Sequence, residues 1–100
     1  MIIVLGSFIA APGHLEEALA LSQEHVERSR AEPGCLAHAV HRDVEHAQRL
    51  VFVEQWRDMA ALQQHFRVPA SRAFAKALAT MAAEPPSMQL FDATAVPIRA

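Results

Sequence analysis

The chain has 100 residues, 52% of them apolar, and a formal net charge of −2 at pH 7. This length suits a single domain, and the apolar content excludes a disordered chain. The slight negative charge and the scattered basic residues argue against a nucleic-acid-binding protein. No apolar run approaches the roughly 20 residues that span a bilayer, which argues against a membrane protein.

The single cysteine, Cys35, permits no internal disulfide bond and supplies no cysteine-rich metal site. The first eight residues, MIIVLGSF, lack the positively charged start of a secretory signal and are typical of a β-strand. Both features favour a cytoplasmic protein.

The first third of the chain predicts a strand followed by a helix. Residues 2–10 are β-branched and apolar, as in a buried strand, and Pro12-Gly13 ends them. From His14 to Arg30, apolar residues recur at intervals of three and four, which predicts an amphipathic helix. Pro33-Gly34 ends this helix.

The middle of the chain predicts a β-hairpin. Residues 35–43 alternate imperfectly between apolar and polar, which indicates a second strand. Residues 45–48 are polar and few, as in a hairpin loop, and residues 49–56 form a β-branched and aromatic third strand.

The last third predicts two helices and a strand. Asp58 is suited to cap a short helix that runs through Phe66. Pro69 is suited to the first turn of a further helix that extends to about Ala83. Residues 88–93 follow two prolines and predict a fourth strand.

The predicted order is β-α-β-β-α-β, with the second helix in two pieces. This order is typical of a ferredoxin-like α+β domain with a four-stranded antiparallel sheet. Helices cover one face of such a sheet. The open face would carry Val51, Val53 and Gln55 and is largely apolar, so we expect a homodimer that pairs through it.

Several short segments together resemble one known family, the antibiotic-biosynthesis monooxygenase (ABM) family. They are Glu32-Pro-Gly-Cys, residues 52–58 with the sequence FVEQWRD, residues 60–65 with the sequence AALQQH, and Pro69 followed five positions later by Phe74. The resemblance covers nearly the whole chain. It implies a single ABM-like domain over residues 1–100, a dimeric α/β barrel, and a pocket between sheet and helices.

Members of that family differ in activity. Many oxidise quinols or aromatic polyketides with dioxygen and without metal or flavin, while others degrade haem or isomerise small molecules. The resemblance implies a cofactor-independent monooxygenase that oxidises a small hydroquinone or phenolic compound in an apolar pocket. The alternatives are a non-oxidative isomerase on the same fold and a non-catalytic dimer that binds a small molecule.

The third strand supplies a candidate carboxylate and a candidate aromatic platform. Strand alternation places Phe52, Glu54 and Trp56 on one face, and a buried carboxylate needs a partner. Glu54 is either a pocket carboxylate that serves a histidine or an ion-pair partner of Arg42 or Arg49. Trp56 either stacks on an aromatic substrate or belongs to the core.

Histidines supply the candidate bases. His65 ends the short helix and either lies in the pocket or caps helix carbonyls at the surface. His38 and His41 lie on opposite faces of the second strand, and His38 is the better pocket candidate. The remaining three, His14, His25 and His46, lie in polar or turn settings, and we expect them to be solvated.

The resulting hypothesis assigns His65, Glu54 and His38 to catalysis, with His65 as the base that Glu54 assists. The substrate would lie against an aromatic lining formed by Trp56, Phe52, Phe66, Phe74 and Phe8.

No metal or organic cofactor is expected. No two histidines have the i, i+4 helical spacing of a metal site, and no Cys-His cluster occurs. Haem-degrading members of the family resemble one another in a first-strand Asn, a Trp ending the short helix and a haem-ligating His on the next helix. The corresponding positions are Gly6, His65 and about Ala75, which argues against haem. Dioxygen would be the co-substrate.

Overall fold

The computed structural model describes residues 1–99 and contains the predicted four strands and three helices in the predicted order. The elements are β1 (Ile2–Ile9), α1 (Leu15–Ser29), β2 (Cys35–Arg42), β3 (Arg49–Trp56), α2 (Met59–Arg67), α3 (Pro69–Ala79) and β4 (Ser87–Asp92). The strands form one antiparallel sheet in the order β2-β3-β1-β4. The ferredoxin-like α+β fold is therefore confirmed.

The predicted signals at the start of α2 and α3 act as expected. The Asp58 side chain accepts a hydrogen bond from the Ala61 N–H at 2.9 Å, and Pro69 occupies the first turn of α3. The predicted end of α3, about Ala83, is wrong. Residue Ala82 forms a β-bridge with Ala10 and the Ala83 N–H bonds to the Ile9 carbonyl, so the chain there continues the end of β1 instead of the helix.

Alternate residues of the two central strands point toward the helices and are buried. On β3 these are Leu50, Phe52, Glu54 and Trp56, with Val4 and Phe8 on the same side of β1. On β2 a register shift between Cys35 and Ala37 breaks the alternation at the start of the strand, yet His38 still faces the helices.

The core consists of two apolar clusters on this helix-covered face. One surrounds Phe8 and Phe52, and the other surrounds Val4 and Trp56. Glu54 lies between Phe52 and Trp56 on β3, so a polar residue separates the clusters. In residues 1–99 no helix combines the length and the apolar character needed to cross a bilayer.

The turn that enters β2 depends on Gly34. Its φ is +81°, a left-handed conformation that favours glycine, and its carbonyl accepts a hydrogen bond from the Arg57 N–H at 2.8 Å. A Cβ at this position would lie 2.5 Å from the Ala61 Cβ. The turn therefore needs glycine both for its backbone angle and for close packing against α2.

We predict that Gly34→Ala lowers the free energy of unfolding clearly more than Gly13→Ala does. Both positions have a positive φ, +81° and +84°, so each alanine should cost about 1–2 kcal/mol of backbone strain. A Cβ at Gly13 meets nothing within 4 Å, whereas the clash at Gly34 should add about 1–3 kcal/mol of overpacking. Urea unfolding of both variants measures the difference, and equal losses would contradict the packing account.

Candidate active site

A cavity of about 270 Å³ lies on the helix-covered face of the sheet, and each strand and each helix contributes at least one residue to its wall. Its volume lies just below the range of about 300–1,000 Å³ typical of ligand pockets, so it suits a small molecule. Much of the wall is aromatic and comes from residues predicted to line a pocket: Phe8, Phe52, Phe66 and Phe74.

The Glu54 carboxylate reaches the cavity from β3 and is almost fully buried. Its Oε1 accepts a hydrogen bond from the Trp56 indole N–H at 2.9 Å, and its Oε2 lies 3.5 Å from His38 Nε2. Burial raises the pKa of the Glu54 carboxyl, and the Trp56 hydrogen bond opposes that shift. The polar neighbours of the Glu54 carboxylate therefore lie on the same, helix-covered face of the sheet.

The alternative pairing of Glu54 with an arginine across the sheet is wrong. Arg42 bonds to Glu16 at 2.6 Å, and Arg49 bonds to Asp43 at 2.8 Å. Both arginines flank the loop that joins β2 to β3, and neither lines the cavity.

Trp56 lies beneath the cavity wall, and its predicted stacking on a substrate is corrected by the structure. It is wholly buried in the cluster that contains Val4 and Leu62. The reason is its position at the end of β3, where α2 folds over the strand. Trp56 therefore orients Glu54 through its indole N–H and contributes no surface for a ligand.

His65 lines the cavity from α2 and is paired with a carboxylate that the sequence argument missed. Its Nδ1 lies 2.8 Å from Glu32 Oε1, and both side chains are largely buried. A neutral ring that donates from Nδ1 to Glu32 leaves Nε2 as a free acceptor. The partner expected for His65 was Glu54, so that part of the prediction is wrong, as is the alternative of a surface cap.

His38 lines the cavity from β2, while His41 on the opposite face is exposed. Burial lowers the pKa of His38 to about 4, with smaller contributions from His65 and Arg30. His38 is therefore neutral at pH 7. Within residues 1–99 neither of its ring nitrogens has a hydrogen-bond partner, since the 3.5 Å approach to Glu54 is not a hydrogen bond.

His25 also lines the cavity, and the expectation that it is solvated is wrong. It is 5% exposed, and its ring stacks on Phe74 with centroids 4.0 Å apart and planes 8° from parallel. Burial, followed by the nearby His38, His65 and Arg28, lowers the pKa of His25 to about 3. The buried stripe of α1 could have revealed it, because its members recur at intervals of four, three and four: Ala18, Ser22, His25 and Ser29.

The three cavity histidines form a compact cluster. Their ring centroids are 5.2–5.7 Å apart, and one nitrogen of each lies within 4.8 Å of a nitrogen of the others. Local sequence spacing cannot predict this cluster, because the three rings come from α1, β2 and α2. The fold thus brings together bases that are far apart in the chain.

The polar groups of the cavity can exchange protons and hydrogen bonds with a small bound molecule. Neutral imidazoles accept protons, and the aromatic wall favours a planar apolar ring. The buried Ser71 hydroxyl also lines the cavity and, within residues 1–99, has no hydrogen-bond partner. It is available to a ligand oxygen.

Comparison with solved structures gives the same fold. The crystal structure of an antibiotic biosynthesis monooxygenase matches with a TM-score of 0.88 and 28% identity, over 95% of this chain and 100% of the other. A crystal structure from Deinococcus radiodurans matches with a TM-score of 0.92 over 100% of both chains, and at 23% identity it supports the fold alone.

Comparison with known sequences identifies the family. The uncharacterised protein sll1783 of Synechocystis sp. is 34% identical over 90 residues, which are 90% of this chain. The chain spans 61% of the length of that relative. The family model described as antibiotic biosynthesis monooxygenase matches residues 1–77. The chain therefore belongs to the antibiotic biosynthesis monooxygenase family.

Proposed function

We propose that the chain catalyses the oxidation of a small phenol or hydroquinone by dioxygen inside this cavity. The observation that carries the proposal is the buried His65–Glu32 pair beside a wall of phenylalanine rings. Membership in the family supports an oxidation, and the cavity volume supports a small aromatic substrate.

The first step is removal of the phenolic proton. His65 Nε2 accepts this proton, and Glu32 stabilises the imidazolium because its carboxylate already bonds to Nδ1 at 2.8 Å. Glu54 and His38 form the neighbouring polar wall, and Ser71 supplies a hydroxyl for a substrate oxygen. Their role is to orient the ring rather than to accept the first proton.

The second step is reduction of dioxygen by the phenolate. With a phenol that has a free para position, a new C–O bond forms there, the ring C–H proton is lost, and the O–O bond breaks. One oxygen atom becomes the quinone carbonyl and the other leaves as water. With a hydroquinone, two electrons and two protons pass to dioxygen, which becomes hydrogen peroxide.

The proposed reaction needs no bound cofactor, because the phenolate itself supplies the electrons. The contribution of the protein is a base, an apolar wall and the exclusion of bulk water. In this cavity the Phe66 and Phe74 rings form part of the apolar wall, and the buried imidazoles supply the base.

We predict dioxygen uptake when the purified protein is incubated with a panel of phenols and hydroquinones in the presence of a chelator. Loss of the base in His65→Gln should lower kcat/KM by about 10²–10⁴-fold, and Glu32→Gln should lower it less. The matched control is His41→Gln, which changes an exposed histidine of β2 and should keep the wild-type rate.

Uptake no faster than the uncatalysed rate across the panel, or full activity in His65→Gln, would contradict the proposal. Oxygen-18 incorporation separates oxygenation of a phenol from simple oxidation of a hydroquinone. Product formation without dioxygen would instead identify a non-oxidative enzyme.

We infer in addition that two copies pair through the open face of the sheet. This face carries half-buried Val51 and Val53 on β3, and Leu5 on β1 is 40% exposed. The neighbouring edge strand adds Phe91, which is 47% exposed. An apolar sheet face of this kind is costly in water, and a second copy offers a complementary apolar surface.

The dimer is tested by sedimentation velocity. We expect the wild-type protein to sediment as a dimer and Val53→Lys to sediment as a monomer, because a lysine in an apolar interface loses its hydration without a partner. Val44→Lys is the matched control, since Val44 is 98% exposed in the hairpin loop and should leave the dimer intact. A monomeric wild-type protein would refute this pairing.

A further inference from the structure

We propose that His25, His38 and His65 form a binding site for one divalent transition-metal ion of the zinc class. The proposal concerns the same cavity but does not depend on the oxidation proposed above. It rests on the spacing of the rings, on their unused nitrogens and on the carboxylate behind one of them.

The rings already have the spacing of a three-histidine metal site. An ion bound by imidazole nitrogens at about 2.1 Å in tetrahedral geometry places the ring centroids roughly 5 Å apart. The observed centroid distances are 5.3 Å for His25–His38, 5.2 Å for His25–His65 and 5.7 Å for His38–His65.

The nitrogens are slightly too far apart for a bound ion in the present rotamers. They lie within 4.8 Å of one another, whereas tetrahedral coordination needs about 3.4 Å between ligand nitrogens. Because the ring centres are already correctly spaced, rotation of the rings closes this gap without movement of the sheet or the helices.

His65 has the arrangement that metal-bound histidines commonly show. Its Nδ1 bonds to Glu32 at 2.8 Å, so the carboxylate fixes the ring and leaves Nε2 for the ion. Histidine ligands of metals usually donate their second N–H to a carboxylate or a carbonyl in this way.

His38 supplies an independent sign of a missing ligand. It is 2% exposed, it lines the cavity, and within residues 1–99 neither ring nitrogen has a hydrogen-bond partner. An unsatisfied polar group in the interior is costly. With its proton on Nε2, the nitrogen that faces Glu54 at 3.5 Å, His38 would bind the ion through Nδ1, and the ion would give that nitrogen a partner.

His25 must change its tautomer to bind through Nε2. In the structure its Nδ1 accepts a hydrogen bond from Arg28 at 3.3 Å, which places the proton on Nε2. That contact is long, and the same Arg28 nitrogen also lies 3.4 Å from the Ala70 carbonyl, which it keeps if the His25 contact breaks.

The charges around the cluster tolerate a cation. Arg28 and Arg30 approach His25 and the His38 carbonyl, and their positive charge opposes an ion. Two buried carboxylates, Glu32 and Glu54, lie beside His65 and His38 and offset that charge. Three neutral imidazoles suit zinc and other late first-row ions, and they leave a fourth position open to the cavity.

One consequence links the ion to the proposed reaction. His65 Nε2 cannot hold an ion and accept a phenolic proton at the same time. Metal binding and proton acceptance at this nitrogen therefore exclude each other.

The test is a Zn²⁺ titration of tag-free, chelator-stripped protein by isothermal titration calorimetry, with no phenol present. We expect one Zn²⁺ per chain. Glu32→Gln should weaken binding by about 10–100-fold because it removes the carboxylate behind His65. His38→Gln should weaken it further, and His41→Gln, the matched control on the exposed face of β2, should bind as the wild type does.

Absence of a one-to-one site in the wild type would overturn the proposal, as would equal affinities in Glu32→Gln and His41→Gln. Circular dichroism and thermal unfolding in chelator show whether each variant is folded. Glu32→Gln conserves the size of the side chain and should fold. Its Zn²⁺ affinity therefore tests the proposal even if a histidine variant does not fold. The oxygen-uptake assay contains chelator and this titration contains no substrate, so either proposal can fail without the other.

Discussion

The buried carboxylate of Glu54 is the constraint on which the rest of this structure depends. It lies on the helix-covered face of β3, between an apolar cluster around Phe8 and another around Trp56. A carboxylate at such a position is costly unless polar groups surround it. The Trp56 N–H donates a hydrogen bond to it, and the polar His38 ring lies 3.5 Å away on the other side, so the two clusters cannot merge into one continuous core.

The cavity follows from that division. With a polar residue in the middle of the sheet face, α1 and α2 turn histidines rather than aliphatic side chains toward it. Burial then keeps His25 and His38 neutral by lowering their pKa values to about 3 and about 4. A small apolar space with neutral bases results, and it supports both proposals, the acceptance of a proton from a phenol and the binding of a metal ion. Proteins with the same fold can have different activities, so the side chains that line the cavity, and not the fold, decide the chemistry.

Much of the scaffold could be predicted from the sequence because its signals are local. The β-branched run 49–56, the cap at Asp58 and the break at Pro69 each determine the backbone within a few residues. Strand alternation is also a local signal, and it predicts that Glu54 and His38 face the helices. The end of α3 was missed because residues 82–83 pair with β1, a contact between distant segments.

The site was only partly predictable, because its geometry is tertiary. Glu32 follows α1 in a turn that carries no periodic signal, and only the fold brings it to His65. The charged residues around His25 in the sequence predict a surface position, whereas its place on the buried stripe of α1 makes it internal. The sequence leaves open whether Trp56 stacks on a substrate or belongs to the core, because the depth of a side chain beneath a cavity wall has no local signature.

The central claim, that buried neutral imidazoles converge in one cavity, is tested most directly by the ring ¹⁵N NMR signals of the histidines in chelator-treated protein. At about pH 5.5 the account predicts that His25 and His38 are still neutral, because burial holds their pKa values at about 3 and about 4. A His25 or His38 that takes up a proton with the ordinary pKa of 6.5 would contradict it.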